Sequence, residues 1–255
     1  MRIVVKVGTS TLAYPTGHLN IRHMESLCKV LSDVANAGNE VILVSSGAIG
    51  MGMGKLSLSQ RPTDTPTKQA AAAVGQCELM YTYDKQFSEY NRTVAQILVT
   101  GDVVNRPEHL QNFRATVNRL LELGVIPIIN ENDSVSTAEF GIGDNDTLAA
   151  IVSQTVEANL LVLLSDIDGL YTADPHKDPN ARLISVVEEL TDEILALGGG
   201  AGSSLGTGGM QTKLHAAELC KEAGCDMCIV NGADPEILYD IMDGKSVGTL
   251  FKGGK

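Results

Sequence analysis

Two acidic and amide-rich segments lie close together in this chain: Ile129-Asn130-Glu131-Asn132-Asp133 and, soon after it, Gly143-Asp144-Asn145-Asp146. They follow the apolar run Val125-Ile126-Pro127-Ile128-Ile129, which reads as a buried strand. The polar groups therefore sit where a strand ends and a loop begins, the place where open α/β sheets bind ligands. Carboxylates and carboxamides at this density suit recognition of a small polar molecule. An isolated Asn-Asp pair reads first as an Asx-capped turn. Two clusters flanking one short hairpin, with three further polar loops placed after strands in the same way, point to an active site.

Those three loops have complementary chemistry. Lys6-Val7-Gly8-Thr9-Ser10 puts a lysine at the end of a buried strand, which is costly unless the lysine snorkels or meets an anion. Gly8 beside it lets a ligand approach the backbone. Ser45-Ser46-Gly47-Ala48-Ile49-Gly50 leads into a helix through small residues; it is either a plain cap or an N-terminus open to phosphate or carboxylate. Ser165-Asp166-Ile167-Asp168-Gly169-Leu170-Tyr171-Thr172-Ala173-Asp174-Pro175 carries spaced carboxylates, but lacks the ligand spacing and closing glutamate of a calcium loop. A glycine-rich stretch ends in Gly208-Gly209-Met210-Gln211-Thr212-Lys213. It is not a Walker A motif, and no G-x-G-x-x-G follows the first strand, so a dinucleotide fold is disfavoured. Flexible glycines before a helix bearing a lysine could still close over a nucleotide. The five histidines are scattered and none is assigned a role. Two lysines, Lys6 and Lys213, with backbone-amide loops, carboxylates to orient them or hold Mg²⁺ and no evident strong base, fit phosphoryl transfer. That reaction asks for positioning and charge neutralisation more than covalent chemistry.

The elements that must position these groups alternate along the chain. Strands are expected at Ile3–Val5, Val41–Val44, Val94–Val99, Val125–Ile129, Leu160–Leu164 and Met227–Val230. Helices are expected at Ile21–Ala37, Lys68–Tyr90, Glu108–Leu123, Asp146–Glu157, Met210–Ala223 and Pro235–Met242, with a turn region at Ala138–Ile142 and an irregular stretch after Leu164. Gly38 and Gly124 stop two of the helices. Continuous apolar strands alternating with helices argue for a mostly parallel sheet covered on both faces. The run from Gly198 to Gly209 reads as an internal loop, and no composition shift marks a second domain.

The chain has 255 residues, 44% of them hydrophobic, enough for a single large core. Its net charge of −12 disfavours nucleic acid and anionic membranes as partners, and any phosphate site must be built locally. No apolar stretch approaches a membrane span and no secretory signal is evident, so a cytoplasmic protein with reduced thiols is expected. Cys225-x-x-Cys228 stands alone, with Cys228 inside an apolar run; these cysteines are expected to pack rather than to bind metal.

In order along the chain, Lys6-x-Gly8-Thr9-Ser10, Ser45-Ser46-Gly47-Ala48, Asn130-Glu131-Asn132-Asp133, Gly143-Asp144-Asn145-Asp146, Asp168-Gly169-Leu170-Tyr171-Thr172-Ala173-Asp174-Pro175 and Gly206-Thr207-Gly208-Gly209-Met210-x-Thr212-Lys213 resemble the motifs of the glutamate 5-kinases, a branch of the amino acid kinase family. The resemblance runs from Met1 to about Phe251. The glycine-lysine start is shared with carbamate, acetylglutamate, aspartate and uridylate kinases; the other motifs in this order are more specific.

The resemblance implies a three-layer αβα sandwich with a mostly parallel central sheet. It implies ATP-dependent phosphorylation, with Mg²⁺, of the γ-carboxylate of L-glutamate to glutamyl 5-phosphate, the first step of proline biosynthesis. By the same carry-over, Lys6 and Lys213 stabilise the transferring phosphoryl group and Asp146 orients them. Ser46, Gly47, Asp133 and Asn145 bind glutamate. Lys6, Ser165, Asp166 and the run Thr207, Gly208, Gly209, Met210, Gln211, Thr212 and Lys213 hold the nucleotide. Asp144 lies close by, and no residue is assigned to a metal. Also implied are a homo-oligomer (dimer or tetramer), feedback inhibition by proline and glutamyl 5-phosphate reductase as a functional partner. Many members carry a C-terminal PUA domain; residues 1–255 are expected to form one kinase domain without it. Alternative readings are a sister kinase acting on another carboxylate or carbamate, or a non-catalytic amino-acid-binding regulator. The latter predicts lost lysines, and both are present.

Overall fold

The alternation of apolar runs with amphipathic stretches is realised as a sheet between two layers of helices. The computed structural model describes residues 1–14, 18–136, 142–175, 177–199 and 209–254. Within them, strands β1 (Arg2–Val7), β2 (Glu40–Ser45), β3 (Val94–Val99), β4 (Ile126–Glu131), β5 (Leu160–Ser165), β6 (Val186–Val187), β7 (Asp226–Asn231) and β8 (Thr249–Phe251) form one sheet. Its order is β3-β4-β2-β1-β5-β7-β8-β6. Every pairing is parallel except that of β7 with β8. The described helices are α1 (Thr9–Leu12), α2 (Ile21–Asn36), α3 (Ala48–Lys55), α4 (Thr65–Ser88), α5 (Gly101–Asn105), α6 (Pro107–Glu122), α7 (Asn145–Thr155), α8 (Asp192–Ala196), α9 (Met210–Glu222) and α10 (Ile237–Met242). Among the described residues, no helix is long and apolar enough to cross a membrane.

Successive side chains of a strand point to opposite faces, and the two hydrophobic cores divide the strands accordingly. Val4, Ile42, Val44, Leu161, Leu163 and Ile229 pack under α6, α7 and α9. Ile3, Val5, Leu43, Ile128, Val162 and Val230 pack under α2, α4 and α10. Lys6 shares the parity of Val4, so β1 delivers it to the α7 and α9 side. Asn130 shares the parity of Ile128, so β4 delivers it to the α4 side. Four cysteines are buried, Cys225 and Cys220 in the first core and Cys228 and Cys28 in the second, where burial pushes the Cys228 thiol up to about 12; Cys77 is exposed.

The expected strands are all present: Val94–Val99 keeps its bounds, the strand expected from Val125 starts at Ile126, and all but Val94–Val99 run on by a residue or two at one or both ends. The helix expected from Lys68 begins at Thr65, because the Asp64 side chain accepts from the Thr67 N–H at 2.9 Å and Pro66 fits the first turn. The helix expected from Pro235 begins only at Ile237; the Asp234 side chain instead holds the Glu236 N–H, at 3.0 Å, in a turn. Gly38 and Gly124 end α2 and α6 with φ of +89° and +72°. The stretch expected to be irregular after Leu164 contains β6, α8 and a 3₁₀ turn, Leu197–Gly199. Its second half is tied in by β8, which pairs with β6 and β7 together. Of the turn region expected at Ala138–Ile142, all but Ile142 lies outside the described residues, as do Gly206, Thr207 and Gly208.

Candidate active site

The C-terminal ends of β1, β2, β4 and β5 and the N-termini of α3, α7 and α9 converge on one region. At its centre Asp146, in the first turn of α7, is 1% exposed. Lys6 Nζ lies 2.6 Å from its Oδ1 and Lys213 Nζ 3.0 Å from its Oδ2. A carboxylate taken this far from water is costly unless paired. Burial pulls the Asp146 carboxyl upward, yet the ammonium groups of Lys6 and Lys213 outweigh it and hold the group down at about 2. Two cations against one anion leave a net positive charge beneath the sheet's open end. The Thr212 hydroxyl joins the cluster, 3.1 Å from Asp146 Oδ2 and 2.8 Å from the Gly209 carbonyl.

Asp144 has a different task. Its Oδ1 accepts from the N–H groups of Asp146 and Thr147 at 2.9 and 2.8 Å, and its Oδ2 from the Thr147 hydroxyl at 2.8 Å. It is the N-cap of α7, and it fixes the turn from which Asp146 and Asn145 project.

A second cluster crosses the tops of the strands. Asn145 Nδ2 lies 2.7 Å from Ser46 Oγ, 3.0 Å from the Ser45 carbonyl and 3.0 Å from Asn130 Oδ1. Asn130 is buried, and its Nδ2 donates to Gln76 Oε1 on α4 at 2.9 Å. Gly47 adopts φ +103° between Ser46 and the start of α3, a backbone state that costs glycine nothing and any other residue strain. Beside this cluster is a cleft of about 400 Å³ lined by Gln76, Glu131, Asn132 and Asp133 among others. Burial and then the neighbouring Glu131 carboxylate push the Asp133 carboxyl up to about 6. Such a site lacks a cation.

On the other side of β1, Ser165 is buried at the end of β5, and its hydroxyl reaches Asp166 Oδ1 at 3.2 Å. Asp168 accepts from Asn231 Nδ2 at 2.8 Å and from the Tyr171 hydroxyl at 3.0 Å, which ties this loop to the end of β7. Gly209, the N-cap of α9, is extended and gives no side-chain cap, so the first N–H groups of Met210, Gln211 and Thr212 face no side-chain acceptor of the cap. Such a terminus is electropositive.

The structure thus brings Lys6, Asp146 and Lys213 into direct contact and joins Ser46 to Asn145. It sets Gly47 at the head of α3, Asp133 at the cleft, Ser165 and Asp166 on the β5 loop, and Gly209 to Lys213 at the start of α9. Sequence reasoning assigned no role to Gln76 or Asn130. Asn130 lay within a recognised cluster; Gln76 sits mid-helix, and only tertiary contact reveals it.

This arrangement defines a class of phosphotransferases. The family model described as "Amino acid kinase family" matches residues 1–231. Solved structures with the same fold include the isopentenyl phosphate kinase of T. acidophilum, with a TM-score of 0.69 at 18% identity over 99% of this chain and 100% of that one. The UMP kinase of Bacillus anthracis has a TM-score of 0.67 at 16% identity over 100% and 96%. The chain belongs to the amino acid kinase family. Within that family it is 53% identical to the glutamate 5-kinase of Listeria innocua, over all of this chain and 94% of that protein. It is 54% identical to the glutamate 5-kinase of Clostridium tetani, over 99% and 95%.

Proposed function

We propose that this protein is an ATP-dependent kinase that transfers a phosphoryl group to the γ-carboxylate of L-glutamate. The observation that carries the reading is the buried Asp146 carboxylate gripped by Lys6 and Lys213, in a chain more than half identical to glutamate 5-kinases over its whole length. The chemistry needs no general base, because the attacking carboxylate is already an anion at neutral pH. The obstacle is repulsion between that anion and the triphosphate. Lys6 and Lys213, held by Asp146, are preorganised to meet negative charge as it shifts from the leaving phosphate to the transferred group. The open N-terminus of α9 would take phosphate oxygens, and Ser165 and Asp166 would lie along the nucleotide.

Magnesium enters this reading as part of the substrate, carried on the phosphates of ATP. Both oxygens of Asp146 already face lysines, and those of Asp144 cap α7. Among the described residues no cluster of three or more His, Cys, Asp or Glu side chains could hold a metal. No protein ligand is assigned to the ion, and the cation supplied by this chain is lysine.

Glutamate would lie in the cleft with its α-ammonium on Asp133 and its carboxylates near Ser46 and the Gly47 amide. An ammonium there would supply the charge that Asp133 and Glu131 lack. Proline carries the same ammonium and carboxylate, so the proposal includes its competition at this cleft: millimolar proline should raise the apparent KM for glutamate. A homo-oligomer, a cytoplasmic setting, a single kinase domain over residues 1–255 and hand-over of the labile acyl phosphate to glutamyl 5-phosphate reductase belong to the same proposal.

The test is a hydroxylamine trap of acyl phosphate with ATP and Mg²⁺ over L-glutamate, N-acetyl-L-glutamate and L-aspartate, with carbamate and UMP followed by ADP release. Hydroxamate from L-glutamate alone supports the reading. Signal only with another substrate moves the protein to a sister kinase, and silence throughout leaves an amino-acid-binding regulator.

A further inference from the structure

Carboxamides are ambiguous until something fixes which end is oxygen. Here two backbone groups do so. The Glu131 N–H donates to Asn130 Oδ1 at 2.9 Å, so that atom must be the acceptor and Asn130 Nδ2 must point to Gln76, whose Oε1 receives it at 2.9 Å. The Ser45 carbonyl can only accept, so the Asn145 atom 3.0 Å from it is Nδ2. The same Nδ2 faces Asn130 Oδ1 and Ser46 Oγ. With its nitrogen turned inward, Asn145 has its oxygen left as an acceptor. With Ser46 Oγ receiving from Asn145, the serine O–H is left as a donor. An acceptor suits an ammonium group, and a donor suits a carboxylate.

Gln76 closes this chain at its far end. It is 9% exposed, lines the cleft that holds Asp133, and reaches Asn130 from the opposite helical layer to Asn145. Its reach depends on the close seating of α4 on α3. A Cβ on Gly75 would come within 1.7 Å of the Ala48 carbonyl oxygen, and one on Gly52 within 1.8 Å of that of Ala71. Bare backbone contact at both glycines sets α4, and with it Gln76, at a fixed height against the Ser46 loop. A buried donor left without its acceptor is expensive, so losing the Gln76 oxygen would draw the Asn130 side chain out of its place toward another partner. Asn145 would then lose one of the three acceptors that hold its nitrogen inward.

We infer that Gln76 is a positioning residue for the amino-acid substrate, whose side-chain oxygen anchors Asn130 and through it keeps Asn145 and Ser46 in the place that binds it. The inference rests on the reading of Asn145 and Ser46 as substrate-binding.

The test is steady-state kinetics of Gln76→Met, Asn145→Ala and the double variant, with L-glutamate and ATP each varied and thermal melting recorded alongside. Gln76→Met removes the acceptor and keeps the bulk. The expected result is a rise of about tenfold or more in the KM for glutamate, with kcat and the KM for ATP within about threefold of the parent. In the Asn145→Ala background the same substitution should add less than about twofold, since its effect passes through Asn145. Three results overturn the inference while leaving the site reading intact: an unchanged glutamate KM in Gln76→Met, a fall in kcat with KM unmoved, or full additivity with Asn145→Ala. An Asn145→Ala variant with an unaltered glutamate KM would sink the site reading itself, and the role of Gln76 with it.

Discussion

Asp146 and Asp133 lie close in sequence and are pushed in opposite directions. Asp146 is held at about 2 by its lysines against the pull of burial, whereas Asp133 is raised to about 6 by burial and by Glu131. The signs separate their effects. A carboxyl lowered by folding contributes stability above its unfolded value, near pH 4, and loses it as pH falls toward 2. A carboxyl raised by folding does the reverse: its ionisation opposes folding, a cost absent below about pH 4, growing between about pH 4 and 6 and complete above. Acidification from about pH 7.5 to 5 should therefore protonate Asp133 and leave the Asp146 hub intact. The expected outcome is that kcat/KM for glutamate falls about tenfold per pH unit below about 6, while these two groups give no fall in Tm over the same range. Asp133→Asn should abolish that inflection and raise Tm at neutral pH. An inflection that persists in Asp133→Asn would show that another group controls binding. At the hub, Lys213→Ala should lower kcat by about 100- to 1,000-fold, the scale of losing one preorganised charge contact in the transition state. Glutamate KM should change less than about threefold, because in the proposed reading Lys213 serves the transferring phosphoryl group rather than the amino acid. Equal losses in kcat and glutamate binding would mean the lysine has been given the wrong task.

At the scale of elements, the junction of α3 with α4 carries the greatest mechanical demand. Gly75→Ala would set a methyl group 1.7 Å from the Ala48 carbonyl oxygen and 2.4 Å from the Gly52 nitrogen. Neither is a flexible side-chain tip, so the helices must part. The expected cost is about 2–3 kcal/mol, or about 5–10 °C in Tm for a chain of this size. Glutamate KM should rise as well, since Ser46 and Gln76 move with these helices. Gly50→Ala on the same α3 is the control. There a Cβ meets Thr9 at an ordinary 3.7 Å, and helix propensity gives stability equal to or above the parent. The glycines also explain what the sequence did and did not disclose. The strands at Val41–Val44 and Leu160–Leu164 are legible because burial on both faces demands unbroken apolar runs. Lys6, Ser46, Asp133, Asn145 and Asp146 are legible because each follows or faces a strand end, where polar residues have no packing reason to gather. By contrast Ala-Ile-Gly-Met-Gly-Met-Gly-Lys makes a poor helix by propensity, and α3 forms because α4 packs on its bare backbone. The two-residue β6 and three-residue β8 have too few positions to show a period; pairing with each other and with β7 defines them. Gln76 follows the run Ala70-Ala71-Ala72-Ala73-Val74-Gly75 and is separated from Asn130 by a whole strand and two helices, so no local pattern could expose it.

The whole molecule sets a field that the site must oppose. A net charge of −12 on 255 residues surrounds the chain with negative potential, and in this reading both substrates arrive as anions. The Lys6–Asp146–Lys213 cluster contributes a net positive charge at the open end of the sheet, but it is nearly buried, with lysine side chains 12% and 7% exposed. A buried cation acts at contact distance, where salt screens it weakly, whereas the acidic surface acts over a Debye length. The two therefore separate by ionic strength. Raising an inert monovalent salt from about 0.01 M to 0.1 M shortens that length from about 30 Å to about 10 Å and should remove long-range repulsion while leaving the lysine contacts in place. At fixed free Mg²⁺, kcat/KM for ATP should then rise by about twofold or more, with kcat nearly constant, because screening acts on encounter rather than on the bound complex. A fall in kcat/KM over that range would show that the lysines steer nucleotide from a distance, and that local positive charge, not the acidic surface, governs approach to the site.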